Sequence, residues 1–243
     1  MHLLFSATLT QPITRIEGEE HHHLHHVLRL NVGDALLLSC GDGRVAEAVI
    51  EEAGATETRC RLGVMHAAYN ELPVPVTLLQ GVLKNPGKVD WLVEKATELG
   101  MTDFIPLATA RTISHRVKTG RLQKLVRAAA KQCLRGRIPC IHELHSLTEA
   151  MAVLAGTRLL VFHETASPDS TPESLAWDAR PLAIFIGPEG GFEDDEIALL
   201  RSHGAEVLSL GPRRLRGETA GIVALARVGP AVRPIGNDGS AGK

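Results

Sequence analysis

Two short segments of this 243-residue chain combine residue types and spacings suited to holding a ligand. The first reads Ala183-Ile184-Phe185-Ile186-Gly187-Pro188-Glu189-Gly190-Gly191-Phe192. An apolar strand runs straight into a glycine-rich turn, and the next helix opens with Asp194, Asp195 and Glu196. In open α/β sheets ligands bind beyond the carboxyl ends of strands, and glycines there let the backbone approach a flat ring closely. The segment is not a phosphate loop. It matches neither GxxxxGK[ST] nor GxGxxG, and three acids at a helix start repel an anion. The second segment, Val207-Leu208-Ser209-Leu210-Gly211-Pro212, continues through Arg213-Arg214-Leu215-Arg216-Gly217-Glu218-Thr219-Ala220. Its helix is apolar nearly all round, so it must be buried against a sheet or a partner. Arg216 and Glu218 therefore sit at the edge of a buried element, as functional groups or as a structural ion pair.

Charge is unevenly spread behind a formal net value of −2. No acid occurs from Phe104 to His142, while Arg111, Arg116, Lys118, Arg121, Lys124, Arg127, Lys131, Arg135 and Arg137 all fall there. Residues 164–206 are conversely rich in acids. This polarity predicts a basic patch facing a polyanion, against the plainer reading of a solvated helix face.

The elements that must position these residues follow from periodicity. Short β-type runs at Leu3–Ser6, Ala35–Ser39, Arg44–Ile50 and Arg59–Val64 predict a small curved sheet or barrel, interrupted by a helix near Gly18–Arg29. Leu72-Pro73-Val74-Pro75 reads as a linker. Beyond it, apolar strands at Val76–Gln80, Phe104–Ala108, Arg158–Phe162, Leu182–Ile186 and Val207–Leu210 alternate with helical patterns. Alternation of this kind predicts a mainly parallel α/β sheet covered on both faces. The boundaries are then 1–72, 73–230 and a Gly/Pro-rich tail, 231–243, too polar to build a core. Four widely spaced cysteines form no CxxC pair, which predicts neither a disulfide framework nor a zinc site. No apolar run is long enough to span a bilayer, and Met1–Ser6 lacks the form of a signal peptide, so a cytoplasmic protein is expected.

Taken in order, these residues resemble the RsmE-type 16S ribosomal RNA uridine methyltransferases of the SPOUT superfamily. The resemblance runs through His22-His23-Leu24, Val27-Leu28-Arg29-Leu30, Gly33-Asp34, Lys84, Lys95–Gly100 and Pro106. Its most specific parts are Ile186–Phe192 and Leu210–Arg213 with Leu215, Arg216, Glu218, Thr219 and Ala220. It implies a SPOUT domain with a deep trefoil knot, an exception to the rule against knots, behind a PUA-like RNA-binding β-barrel. It also implies a homodimer, a 16S rRNA or small-subunit partner, and S-adenosyl-L-methionine (SAM) as cofactor without a metal. SAM would lie against His163, Gly187, Pro188, Glu189, Gly190, Gly191, Leu210, Gly211, Leu215, Gly217 and Thr219. The chain departs from the family pattern at Gly217, where Thr is usual, and at Glu193, where Ser or Thr usually caps the helix.

The implied reaction methylates N3 of a uridine, a poor nucleophile until its proton leaves. Arg216 is expected to offset charge on the uracil oxygens, with Glu218 orienting Arg216 or relaying the proton. Arg29, Lys84, Arg111, Arg116, Arg135 and Arg137 are expected to meet rRNA phosphates, giving salt-sensitive affinity with little sequence choice. His21/His25 and His22/His26 have metal-ligand spacing but lack an evident third ligand. A tRNA target, a non-catalytic assembly factor and a nicotinamide oxidoreductase are the competing readings; the missing GxGxxG counts against the last.

Overall fold

The computed structural model describes residues 1–9 and 12–231, and the chain divides into two compact units. One holds Met1–Glu71 together with Arg127–Ile138; the other holds Leu72–Val126 and the chain from Pro139 onward. The expected disordered tail lies, beyond Ala231, outside the described residues.

The first unit is a five-stranded sheet of β1 (Leu3–Phe5), β2 (Ile13–Glu17), β3 (Ala35–Ser39), β4 (Val45–Ala53) and β5 (Glu57–His66). Their order is β1-β3-β4-β5-β2, with β1 parallel to β3 and the other pairs antiparallel. Leu4, Ile16, Leu36, Leu38, Ile50 and Leu62 make one core layer. Leu3, Phe5 and Leu37 point to the opposite face, because successive side chains alternate across a strand. That face also needs cover, and Ala130, Leu134 and Ile138 supply it. A non-alternating run of buried residues in β1 and β3 thus explains why a segment so distant in sequence belongs here.

Within segment 127–138, three bases of the acid-free run meet acids. Arg127 and Lys131 both reach Glu20, at 2.8 and 2.7 Å. Arg135 grips the Glu71 carboxylate with Nε and Nη2, and the two side chains are only 3% and 5% exposed. Arg135 was expected to contact RNA; enclosed and forked onto Glu71, it has no reach to a phosphate. The helix expected over Gly18–Arg29 is α1 (Gly18–His22) followed by a π-helical turn, His23–Val27. Four residues apart on the same face, His21 and His25 stand side by side, and both rings bond the buried Thr58 hydroxyl at 2.9 and 2.8 Å.

The second unit is a parallel α/β sheet. Its strands are β6 (Val76–Gly81), β7 (Asp103–Ala108), β8 (Cys140–Ile141), β9 (His145–Ser146), β10 (Arg158–Phe162), β11 (Leu182–Ile186) and β12 (Glu206–Leu208). The order is β12-β10-β11-β6-β7-β8, with β9 also on β7. Strands β10 and β11 are buried at every residue, which is why they read as unbroken apolar runs. Helices α2 (Pro86–Glu98), α3 (Thr119–Gln132), α4 (Leu147–Ala152), α5 (Asp194–Ser202) and α6 (Gly217–Val228), with a short 3-10 turn at Pro172–Ser174, are the other described elements, and α3 runs on into segment 127–138. The α5 residues Ile197 and Leu200 cover Phe185, Phe192 and Val161. Helices α2 and α6 pack on each other, close enough that a Cβ on Gly221 would lie 2.8 Å from Leu92. Strands β2, β8 and β9 and helix α4 were not legible in the sequence; β8 and β9 have two residues each. None of the described helices is long and apolar enough to cross a membrane.

Removing one partner of a buried ion pair leaves an uncompensated charge, at a cost of about 3–5 kcal/mol. Glu71→Ala is therefore expected to destabilise the protein by about that amount. Urea unfolding measures it, and a change below about 1 kcal/mol would place the Arg135–Glu71 pair in an ordinary surface class.

Candidate functional site

Strand register creates the site. Leu208 pairs with Phe162, Phe162 with Ile186, and Ile186 with Gln80, so four parallel strands reach their carboxyl ends in one row. The loops that leave them start together, and three of them enclose a cavity of about 830 Å³. Its walls are the segment after Phe162, the Ile186–Phe192 turn, and Ser209–Gly217, with Ala220 and Lys88 at its border. A volume of this order lies in the range of small-molecule sites.

The Gly-Pro turn is held by close backbone approach. A Cβ on Gly81 would fall 2.4 Å from Pro188, and one on Gly187 would fall 2.9 Å from Gly191, so neither position admits a side chain without movement. Gln80, buried at the end of β6, donates its Nε2 to the carbonyls of both Gly81 and Gly187, at 3.1 and 2.9 Å. From outside, Arg111 donates to the Gly190 carbonyl at 2.7 Å, and the Glu189 carboxylate accepts the Lys84 amide at 3.0 Å. At the start of α5 the Glu193 amide donates to the Glu196 carboxylate at 2.8 Å, the half of a capping box that does not depend on the cap residue's own side chain.

Of the residues expected to hold a cofactor, His163, Gly187, Pro188, Glu189, Gly190, Gly191, Leu210, Gly211, Leu215 and Gly217 all border the cavity, and Thr219 does not. Gly217, the departure from the family pattern, is buried at the start of α6, where a Cβ would lie 2.8 Å from Leu83 Cδ2. Arg216 precedes it, exposed, on the cavity border, and in no ion pair among the described residues.

Glu218 was expected to orient Arg216, but its ion pair is with Lys88, at 2.9 Å. Lys88 was missed. A signal for it existed: the Asn85 side chain caps α2 through the Gly87 amide at 2.8 Å, and Pro86 follows at the first helical position. That cap puts Lys88 in the first turn of a helix rising from the ligand end of β6. Lys88 is 30% exposed and Glu218 10%, so the pair shows its cation to the cavity and hides its anion. Burial pushes the Glu218 carboxyl up. The hydrogen bond from Lys88, a backbone bond, and the Lys88 and Arg216 charges outweigh it, leaving the carboxyl below its ordinary value.

Of the expected RNA contacts other than Arg135, Arg29, Lys84, Arg111 and Arg116 are exposed and Arg137 is half-buried. Arg29 lies on a left-handed backbone, φ 55°. Arg137 approaches Gly43, and its amide donates to Glu71 at 3.1 Å. Arg111 is partly committed to Gly190 and, at 3.7 Å, to Glu193.

A parallel α/β unit with a ligand cavity beyond its strand ends, joined in one chain to a small β unit, defines a class of two-unit α/β binding proteins. Residues 70–229 match the RNA methyltransferase domain and residues 16–61 the RNA methyltransferase PUA domain. The chain belongs to the ribosomal RNA small subunit methyltransferase E family. The protein of that name from Mycobacterium bovis is 35% identical over 231 residues, covering 90% of this chain and 87% of its own. Its Bacillus subtilis counterpart is 30% identical over 232 residues, covering 89% and 90%. A Legionella pneumophila protein, solved in complex with bound SAM, superposes with a TM-score of 0.79 at 30% identity, covering 94% of this chain and 97% of that one.

Glu218, with its carboxyl lowered in the fold, contributes stability that is present above the unfolded value near 4.5 and lost as pH falls through the folded value. Lys88→Met removes the main opposition to burial, so the Glu218 midpoint should rise. Carboxyl-carbon NMR across pH 3–6 reads it, and an unchanged midpoint would break the assignment of the pair.

Proposed function

We propose that this chain transfers the methyl group of SAM to N3 of a uridine in 16S rRNA of the small ribosomal subunit. The observation that carries this reading is the cavity at the aligned ends of β10, β11 and β12, bordered on one side by glycine backbone and on the other by Arg216 and Lys88. Family membership makes the chain a SAM-dependent methyltransferase of small-subunit rRNA.

The residues present fit the cofactor. Gly187, Gly190, Gly191 and Gly211 bring backbone to the cavity with no side chain in the way, and His163, Leu210, Leu215 and Gly217 complete the wall. SAM supplies a sulfonium-bound methyl group that departs with no net charge left on sulfur. In the transfer the N3–H bond breaks with its proton passing to solvent water, an N3–C bond forms, and the S–C bond breaks with its electron pair staying on sulfur. Arg216 stabilises negative charge on the uracil oxygens as the N3 proton leaves, which is the costly part of the step. Glu218 is then a positioning residue: it holds Lys88, whose ammonium adds to the positive field at the cavity border. A uracil paired through N3 cannot react, so the target nucleotide is unpaired or flipped out. Arg29, Lys84, Arg116 and Arg137, with the free edge of Arg111, bind phosphates.

The reading also carries a trefoil knot in the second unit, a PUA-like barrel in the first, a cytoplasmic location and a homodimer. Trp91, 46% exposed on α2, is the kind of large apolar residue a second copy would cover.

Tritium from methyl-labelled SAM should enter 16S rRNA of small subunits lacking the modification, and mapping should place it on uridine N3. Arg216→Ala should retain SAM binding within a few-fold and lose transfer by at least about a hundredfold, as removal of a charge-stabilising donor does. Transfer at the wild-type rate would overturn the role of Arg216, and label in tRNA alone would overturn the substrate. The same preparation should sediment as two chains.

A further inference from the structure

Away from the cavity, at the opposite ends of the strands, Asp103, Cys140 and His142 each bring one ligand atom to within 4.8 Å of the others. The backbone fixes all three. Asp103 opens β7 and pairs in register with Cys140, which opens β8. The Cys140 amide donates to the Thr102 carbonyl, and the His142 amide to Phe104, both at 2.9 Å. His142 Nε2 lies 2.9 Å from Asp103 Oδ1, and each of these side chains is 33% exposed. Cys140 is exposed as well, so an ion could reach the cluster from solvent.

We infer that Asp103, Cys140 and His142 form a binding site for a divalent transition-metal ion, with Zn²⁺ the best match. Thiolate, imidazole and carboxylate are the three ligand types that Zn²⁺ accepts, and three protein ligands leave a fourth tetrahedral position to water. Hard ions are a poor match, because Mg²⁺ and Ca²⁺ require six or more oxygens. On binding, Cys140 loses its thiol proton to solvent, and the His142–Asp103 hydrogen bond gives way to two bonds to the metal. Since β8 has only two residues, pairing at Asp103 and Phe104, a metal would staple this weak edge to β7. Binding would therefore appear as stability.

Co²⁺ titrated into the full metal-free chain provides the test, because a cobalt–thiolate bond gives a strong near-ultraviolet charge-transfer band. One band should appear, disappear on addition of Zn²⁺, and be absent in Cys140→Ser. His142→Ala should weaken Co²⁺ binding by at least about tenfold, the least that loss of a supporting group costs a metal site. The His21→Ala/His25→Ala double variant should bind as the wild type does. Zn²⁺ should raise the melting temperature of the wild type and leave that of Cys140→Ser unmoved; far-UV circular dichroism of the metal-free variants confirms their folding. No band, a band that survives Cys140→Ser and so belongs to Cys40, Cys60 or Cys133, or a band lost with His21 and His25 would each overturn the site. An equal Zn²⁺ shift in Cys140→Ser would do the same.

Discussion

The ligand end of the second unit depends on one close approach: the Gly187–Pro188 backbone lies against Gly81, tied there by the amide of Gln80. Gln80 and Gly187 are 107 residues apart, yet the register of β6 with β11 makes them neighbours. A buried amide that donates to two carbonyls fixes where both loops begin, since a buried polar group left unpaired costs about 1–3 kcal/mol. Among the described residues the Gln80 Oε1 has no partner, so the side chain is held there by its donors. Any Cβ at Gly81 would displace the turn, and with it the wall that Gly190 and Gly191 form. Arg111 and Glu196, on the outer side, brace the same structure through Gly190 and the Ala110 amide.

Charge is organised by the same economy of neighbours. The acid-free stretch looks like one continuous basic surface, but several of its bases have acids brought by the fold. Glu20 takes Arg127 and Lys131, Glu71 takes Arg135, and Asp90 takes Arg121. What is left outside those pairs is a smaller set that includes the exposed Arg116 and the half-buried Arg137. At the cavity, Glu218 hides its carboxylate and leaves the Lys88 ammonium at the border, so the site stays positive although a carboxylate helps to build it. A cationic border of this kind suits a reaction in which a base must become anionic before it can attack.

Much of this was written in the chain. Buried parallel strands must be apolar throughout, so β10 and β11 announce themselves without any neighbour. Glycines at strand ends mark where backbones come close, and ten of the eleven residues expected at a cofactor site border one cavity. Local rules also located the helices α5 and α6, because helix starts and apolar periodicity are short-range properties.

Pairings between distant residues were not legible, because nothing local encodes them. Glu218 chose Lys88 over its near neighbour Arg216 because helices α2 and α6 pack together. Arg135 left the expected RNA surface because Glu71 meets it in the first unit. Asp103 and His142, 39 residues apart, meet because β8 adds to the edge of β7. The sequence alone determined which residues build strands, turns and a ligand-ready glycine wall, since those depend on backbone sterics and apolar spacing. Only the tertiary structure decided which charges are spent on one another and which stay available, since ion pairing falls off over a few ångströms and respects no order along the chain.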